Sequence, residues 1–349
     1  MIYRVNHLAK ILIDIGHPAH VHFFKNFIWE MEKRGHKFLI TARRKESAFE
    51  LLNYYGFEFI DLGLNKKGLF NKALGMLSND LKLLKISKKF KPDVLTGIGS
   101  PYIAQVSKLL KSKSVLFTDT EHASLINKLS VPFSDYVLTP LCFLKDFGEK
   151  HVRYNGYHEL AYLHPNLFKE EKGVLKELGI KKNEKYFLLR SVSWQASHDV
   201  GHKGISKKEM EKIIKLLEGY GKVFLSSEYD DTAFKEYTIK IHPAKIHTLM
   251  AHSSLYFGEG ATMASESAIL GIPSFYISPL LGTMGNFEEL EKDFELLFSF
   301  RTVNESLDKI KEILESNSKK EWTKKRDKML DEKTDVTSFM IKFFERNLV

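Results

Sequence analysis

The sequence predicts an α/β protein made of two doubly wound parallel-sheet domains that face each other across a cleft. Two observations carry this. Short apolar runs alternate with amphipathic helical stretches from the start, and such alternation needs crossover connections, hence parallel strands covered on both faces. The alternation breaks between about Asn155 and Glu184, where Gly156, Pro165 and a charged run at 169–172 stand, and then resumes. At roughly 150 residues per domain, a chain of 349 residues suits two domains.

Element by element, residues 10–15 (KILIDI) read as a strand. Residues 21–34 carry Phe23, Phe24, Phe27, Ile28 and Met31 at helical spacing, and Gly35 stops the helix. Residues 37–42 form a strand, 47–55 a helix closed by Gly56, 58–62 a strand and 71–90 a longer helix. The turn Lys91-Pro92-Asp93 leads into a strand at 94–96, a helix at 101–110 and strands at 115–118 and 136–139. After the break, strands are expected at 186–190, 222–226, 255–257 and 274–277, with helices at 207–217, 247–251 and 263–270. Beyond Asn286 the chain reads as helical to its end, without Pro and rich in Lys and Glu. Phe339, Met340, Phe343 and Phe344 fall at helical spacing and need a surface to cover them, which predicts that the last helix returns to the first domain. The expected domains are therefore 1–165 joined by 337–349, and 166–336.

Composition narrows the class. Apolar residues make up 43% and charged residues 28%, a globular balance that excludes collagen-like, disordered and small disulfide-rich chains. Cys142 is the single cysteine, so no intrachain disulfide forms and a Cys-based zinc site is excluded. A formal charge of +9 favours anionic partners, or else marks a Lys-rich solvated surface. The basic residues are dispersed in pairs such as Lys88-Lys89 and Lys181-Lys182, so no nucleic-acid arm is expected. The N-terminal run Ile11-Leu12-Ile13 is broken by Asp14, and the most apolar stretch, 261–284, contains Glu266, Pro273 and Pro279. Neither suits a spanning helix of about 20 apolar residues. The expectation is a cytoplasmic protein with, at most, peripheral contact to a membrane.

Chemistry in open parallel sheets gathers beyond the carboxyl ends of the strands. Three such ends stand out. After the first strand comes Gly16-His17-Pro18-Ala19-His20-Val21-His22, a Gly-containing loop opening a helix with histidines where a base is useful. His17 and His22 also suit plain turn and helix positions, and His20 is the candidate base. The pair His20 and His22 points to different sides of a helix, which argues against zinc. The second end is Asp119-Thr120-Glu121-His122, whose carboxylates can act as acid, base or hydroxyl acceptor, or else cap the next helix. The third runs Gly258-Glu259-Gly260-Ala261-Thr262-Met263-Ala264-Ser265-Glu266, a small-residue turn entering a helix. Its N–H groups and dipole suit a diphosphate, and Glu266, one turn in, suits ribose hydroxyls. The alternative is a tight strand-helix turn capped by Thr262. No Gly-Lys-Ser/Thr follows, so this is not a Walker loop.

At these residues the chain resembles glycosyltransferases of the GT-B fold, two Rossmann-like domains, over nearly its whole length. GEGATMASESAILGIP (258–273) is similar to the nucleotide-sugar-binding turn and helix of that superfamily, which includes MurG-like transferases and the non-hydrolysing UDP-N-acetylglucosamine 2-epimerases. DIGHPAHVHFFKNFIWEMEKRGHKFLITAR (14–43), GYHELAYLHP (156–165) and ASHDVGHKGIS (196–206) resemble an archaeal and bacterial domain-of-unknown-function family of predicted glycosyltransferases. The resemblance implies Thr262 and Met263 N–H groups on the diphosphate and Glu266 on the ribose. It also implies Arg190 and His198 as phosphate or sugar contacts, with Gly16, Gly258 and Gly260 in the binding turns and residues 246–250 framing the uracil side. Epimerases of this fold have a first loop resembling Gly-Thr-Arg-Pro-Glu, whereas this chain has Gly16-His17-Pro18-Ala19-His20. The expectation is a metal-independent transferase with a UDP-sugar donor, a sugar or lipid-linked acceptor, His20, Asp119 and Glu121 as catalytic candidates, and no further cofactor. Such an enzyme would serve surface polysaccharide or glycoconjugate synthesis. The alternatives are a UDP-sugar 2-epimerase and a non-catalytic nucleotide-sugar-binding protein.

Overall fold

A computed structural model describes residues 8–64, 69–181, 183–192, 204–227, 232–279, 281–316 and 319–348. The chain divides into two compact units, Met1–Leu167 with Thr334–Val349, and Phe168–Lys333.

The first unit runs β1 (Lys10–Ile15), α1 (Pro18–Lys33), β2 (Lys37–Arg44), α2 (Ala48–Tyr54), β3 (Phe59–Leu64), α3 (Leu69–Phe90), β4 (Val94–Ile98), α4 (Pro101–Leu110), β5 (Lys113–Phe117), α5 (Ser124–Ser130), β6 (Tyr136–Pro140) and β7 (His151–Tyr154). Its sheet has the order β3-β2-β1-β4-β5-β6-β7. Every pairing in it is parallel, for example Leu12↔Leu39 and Leu12↔Leu95. One face is sealed by α3 and α4: Leu12, Leu95, Leu116 and Val137 of the strands pack with Leu83, Ile103, Ala104 and Val106. On the other face Phe23 of α1 lies 5.0 Å from Phe117, ring to ring.

The second unit contains α6 (Val174–Glu177), β8 (Tyr186–Ser191), α7 (Lys207–Glu218), β9 (Lys222–Ser227), α8 (Ile246–Ala251), β10 (Leu255–Gly258), α9 (Ala261–Ile269), β11 (Ser274–Ile277), α10 (Gly285–Lys292), β12 (Leu297–Phe300), α11 (Val303–Ser316) and α12 (Lys319–Glu332). Its strands are all parallel in the order β12-β11-β10-β8-β9. Phe187, Leu188 and Leu189, then Tyr256, Phe257 and Phe275, are fully buried. Such near-continuous apolar runs are the signature of strands covered on both faces.

The last helix, α13 (Val336–Asn347), belongs to the first unit. Phe344 is fully buried, with its ring 4.7 Å from that of Phe27 on α1. Asp335 caps the helix by accepting from the Ser338 N–H, and the Thr337 hydroxyl donates to the Ala161 carbonyl at 2.8 Å. Gly156 serves this return: a Cβ there would lie 2.8 Å from Val336 and 3.0 Å from the Thr334 carbonyl oxygen.

The region beyond Asn286, expected to be helical throughout, contains strand β12, and β7 was also absent from the expected elements. Both are four residues long, and both sit at a sheet edge, where a single neighbour holds them. A run that short carries too little periodicity to separate from its helical surroundings. Among the described residues no helix is long and apolar enough to cross a membrane.

Candidate active site

In each sheet the strand order reverses beside the first strand, between β1 and β4 and between β8 and β10. Loops leaving the two strands there diverge and open a crevice beyond the strand ends. Gly16 and His20 stand at the first reversal. Arg190, Gly258 and Gly260 stand at the second.

Beneath the first reversal, Asp14 is fully buried and held by three groups. The Arg43 guanidinium lies at 3.0 Å, and the Thr41 and Ser100 hydroxyls donate at 3.1 and 2.6 Å. Gly16 makes room for that arginine, because a Cβ at 16 would lie 2.6 Å from Arg43 Nη2. Pro18 opens α1, and the cap is His17, whose Nδ1 accepts from the Ala19 N–H at 3.2 Å. His22 is buried, with Nδ1 3.4 Å from the Tyr55 hydroxyl. Those two histidines are structural.

His20 Nδ1 accepts from the Gly16 N–H at 3.3 Å, so its own proton resides on Nε2. Desolvation, and then the charges of His17, Arg43, Lys45 and His158, hold its pKa well below the usual imidazole value. His20 is therefore a neutral ring whose Nε2 donates.

After β5, Asp119 lies with Oδ2 3.0 Å from His158 Nδ1 and accepts from the Thr120 hydroxyl at 3.0 Å. Burial pushes the Asp119 pKa up, but the His158 ring, through its charge when protonated and through its hydrogen bond, and the Thr120 hydroxyl outweigh it and bring it to about 2. It is a fixed anion, ill matched to proton exchange at neutral pH. Neither Asp119 nor Thr120 caps α5, which begins after Ala123 without a side-chain cap.

Glu121 lies two residues beyond Asp119. Its carboxylate is buried and accepts from the Leu144 N–H at 3.1 Å, while its backbone carbonyl takes the Lys145 ammonium at 2.6 Å. It braces the turn after β6. His158, within the segment 156–165, pairs with Asp119. Without β7 the sequence did not show that the chain returns to the same end of the sheet as Asp119.

In the second unit, Arg190 is paired in register with Gly258, and its Nη1 donates to the Ser226 hydroxyl at 2.8 Å. Both glycines answer to it: a Cβ at Gly258 would lie 2.4 Å from the Arg190 carbonyl oxygen, and one at Gly260 would lie 2.9 Å from Arg190 Cγ. Gly260 is the N-cap of α9, and among the described residues that helix has no side-chain cap hydrogen bond at its N-cap. The first-turn N–H groups at Thr262 and Met263 are thus left to a ligand or water. Glu266 is buried, with Oε1 2.9 Å from His247 Nε2 of α8. Glu259, unassigned from sequence, accepts from the N–H groups of Val192 and Ile205 on either side of residues 193–203. His198 lies outside the described residues. Among those residues, no group of three or more His, Cys, Asp or Glu side chains could hold a metal ion.

A family model described as "Protein of unknown function (DUF354)" matches residues 9–345. The chain belongs to this family. An uncharacterized protein of Methanocaldococcus jannaschii is 29% identical over 284 residues, covering 78% of this chain and 83% of that protein. Among solved structures, UDP-GlcNAc 2-epimerase from Neisseria meningitidis bound to UDP-GlcNAc superposes with a TM-score of 0.66 at 12% identity, covering 97% of this chain and 100% of that one. The spinosyn forosaminyltransferase superposes with a TM-score of 0.61 at 12% identity, covering 97% and 99%. The fold is GT-B, shared by glycosyltransferases and these epimerases.

Proposed function

We propose that the protein is a glycosyltransferase that takes a nucleotide-sugar donor, with UDP as the nucleotide. The observation that carries the reading is the uncapped N-terminus of α9, placed directly after β10 at the strand-order reversal and beside Arg190. A diphosphate there meets Thr262 and Met263 N–H groups, the helix dipole and a guanidinium within reach. These groups stabilise the leaving charge as the sugar departs, so the reaction is expected to proceed without a metal. Glu266, oriented by His247, accepts from ribose hydroxyls. The proton-transfer groups belong to the first unit, around Asp119, His158 and His20.

The second reading, a UDP-sugar 2-epimerase, draws on the likeness to the Neisseria meningitidis enzyme. Against it stands the first loop, Gly16-His17-Pro18-Ala19-His20, without the Arg and Glu of the epimerase-like loop.

The test is a thermal shift with UDP and UDP-N-acetylglucosamine, followed by product analysis. Stabilisation by both is expected, and Glu266→Ala should weaken binding by about 1–3 kcal/mol through the lost charged acceptor. Transfer releases UDP in proportion to an acceptor, epimerisation gives an isomer without acceptor, and a binding protein does neither. EDTA is expected to leave turnover unchanged. Loss restored by a divalent ion overturns the metal-free reading.

A further inference from the structure

We propose that the first unit carries an oxyanion site, built on the free edge of Arg43, for a phosphoryl or carboxylate group. The site belongs to that unit alone, whereas α9 belongs to the second. On the nucleotide-sugar reading the anionic group is the acceptor's, and only that assignment rests on the reading.

Strand register sets the arrangement. β1 and β2 pair Asp14 with Thr41 and Ile15 with Ala42, so Arg43 comes level with Gly16, just past the end of β1. Side chains alternate along a strand, and Asp14, Thr41 and Arg43 therefore share a face. Both Asp14 carboxylate oxygens lie on Arg43 Nη1, at 3.0 and 3.1 Å. The Tyr102 ring of α4 covers the guanidinium plane, with its centroid 4.6 Å from Cζ. One nitrogen and one face are thus taken. What is left is the edge made by Nε and Nη2, whose N–H bonds run side by side.

The Arg43 side chain is only 7% exposed, yet among the described residues neither Nε nor Nη2 has a hydrogen-bond partner. Neither atom is sealed from solvent. Charged donors held this deep without an acceptor are costly. Neutralising Asp14 needs only the nitrogen it already holds, so the ion pair does not account for the bare edge. Gly16 keeps the edge open: a Cβ there would lie 2.6 Å from Nη2, and His20 Cε1 stands 3.7 Å from the same point. Because His20 Nδ1 accepts from the Gly16 N–H, its proton is on Nε2, and a second donor flanks the opening. The 16-residue helix α1 starts here, and its N-terminus favours negative charge. Glu46, which follows β2, lies 3.7 Å from Lys45 Nζ, which offsets its charge.

The edge selects its ligand. N–H groups only donate, so the ligand must accept, and two parallel donors match two oxygens on one centre. A phosphoryl or carboxylate group has that shape and brings the opposite charge. An ammonium is repelled. A neutral carbonyl offers one oxygen and leaves half of the edge unanswered.

The full-length chain, 15N-labelled at arginine, is titrated with inorganic phosphate and separately with acetate, at constant ionic strength, with and without UDP. The Arg43 Nε–H signal is expected to move and saturate, and to do so with UDP present as well. Tighter binding of phosphate assigns a phosphoryl group, and tighter binding of acetate a carboxylate. Gly16→Ala places a methyl group against Nη2, and Arg43→Lys keeps a cation for Asp14 but has no forked edge. Each is expected to weaken anion binding about 10–100-fold. Wild-type affinity in either folded variant overturns the site, and so does an Arg43 signal that neither anion moves. That signal, read on the wild type, decides the matter should both variants unfold. Arg43→Lys is expected to keep the UDP-induced thermal shift; a folded variant that loses it assigns Arg43 to the donor and overturns the proposal. If UDP fails to stabilise the wild type while phosphate still moves Arg43, the nucleotide-sugar reading fails and the oxyanion site stands.

Discussion

Asp80, on α3, is a carboxyl group in the wrong place for its charge. Desolvation and the nearby Asp14 raise its pKa to about 6, and its Oδ1 is buried without a partner among the described residues. A folded-state pKa above the ordinary 3.8 means that the native state holds a proton the unfolded chain has released. Its contribution to stability is therefore complete at about pH 4 and lost as the pH rises through 6. Asp80→Asn should stabilise the protein at neutral pH, on the order of 1 kcal/mol after allowance for partial solvent screening, with no gain at pH 4 in urea unfolding. Asp119 has the opposite sign. Its pKa falls from 3.8 to about 2, so its contribution is present above pH 4 and lost as the pH falls toward 2. The stability gap between wild type and Asp119→Asn should close across that window. Gly258 is a third case. A methyl group there meets the Arg190 carbonyl oxygen at 2.4 Å, a backbone atom that has little freedom to yield. Gly258→Ala should cost about 1–3 kcal/mol in unfolding and weaken UDP binding as well. The glycines of this turn were readable as a ligand cradle, but the close passage of Arg190 was not, because it comes from a strand 68 positions earlier in the chain.

At the scale of elements, α13 shows how far helical spacing carries. Phe343 and Phe344 declared an apolar face, and the face is buried: Phe344 meets Phe27, and Phe343 meets Tyr136 at 5.3 Å. Phe344→Ala should cost about 3–5 kcal/mol, measured by urea unfolding, through the cavity left against α1. The edge strands β7 and β12 are the counterpart. Residues 151–154 and 297–300 have no pattern strong enough to declare a strand, and they become strands because β6 and β11 offer free hydrogen-bonding edges. The site suffered from the same limit. Without β7 nothing in the sequence brings His158 to Asp119, and in the fold the two side chains lie 3.0 Å apart.

For the whole molecule, the division into two units sets the expected response to nucleotide. Hydrogen exchange with UDP should show new protection around the end of β10 and the first turn of α9, within Phe168–Lys333. Protection confined to the first unit would displace the donor site from α9. The charge of +9 is compatible with an anionic substrate, but it does not locate one.

The sequence by itself determined the two parallel sheets, most of the element order, the return of the last helix and the turn from Gly258 into α9. These depend on local periodicity, on glycine, and on the need to cover apolar faces, all of which are written within a few residues of one another. Tertiary structure decided which charged groups meet. Asp119 could have been an acid, a base or a cap, and became a fixed anion because His158, 39 positions later, settled beside it. Glu121, two residues on, was drawn to the Leu144 N–H instead. The His20 pKa is lowered by desolvation, by His17 and by Arg43, a residue from the neighbouring strand. Proton affinities depend on neighbours brought together by sheet order, and sheet order joins residues that the sequence keeps apart.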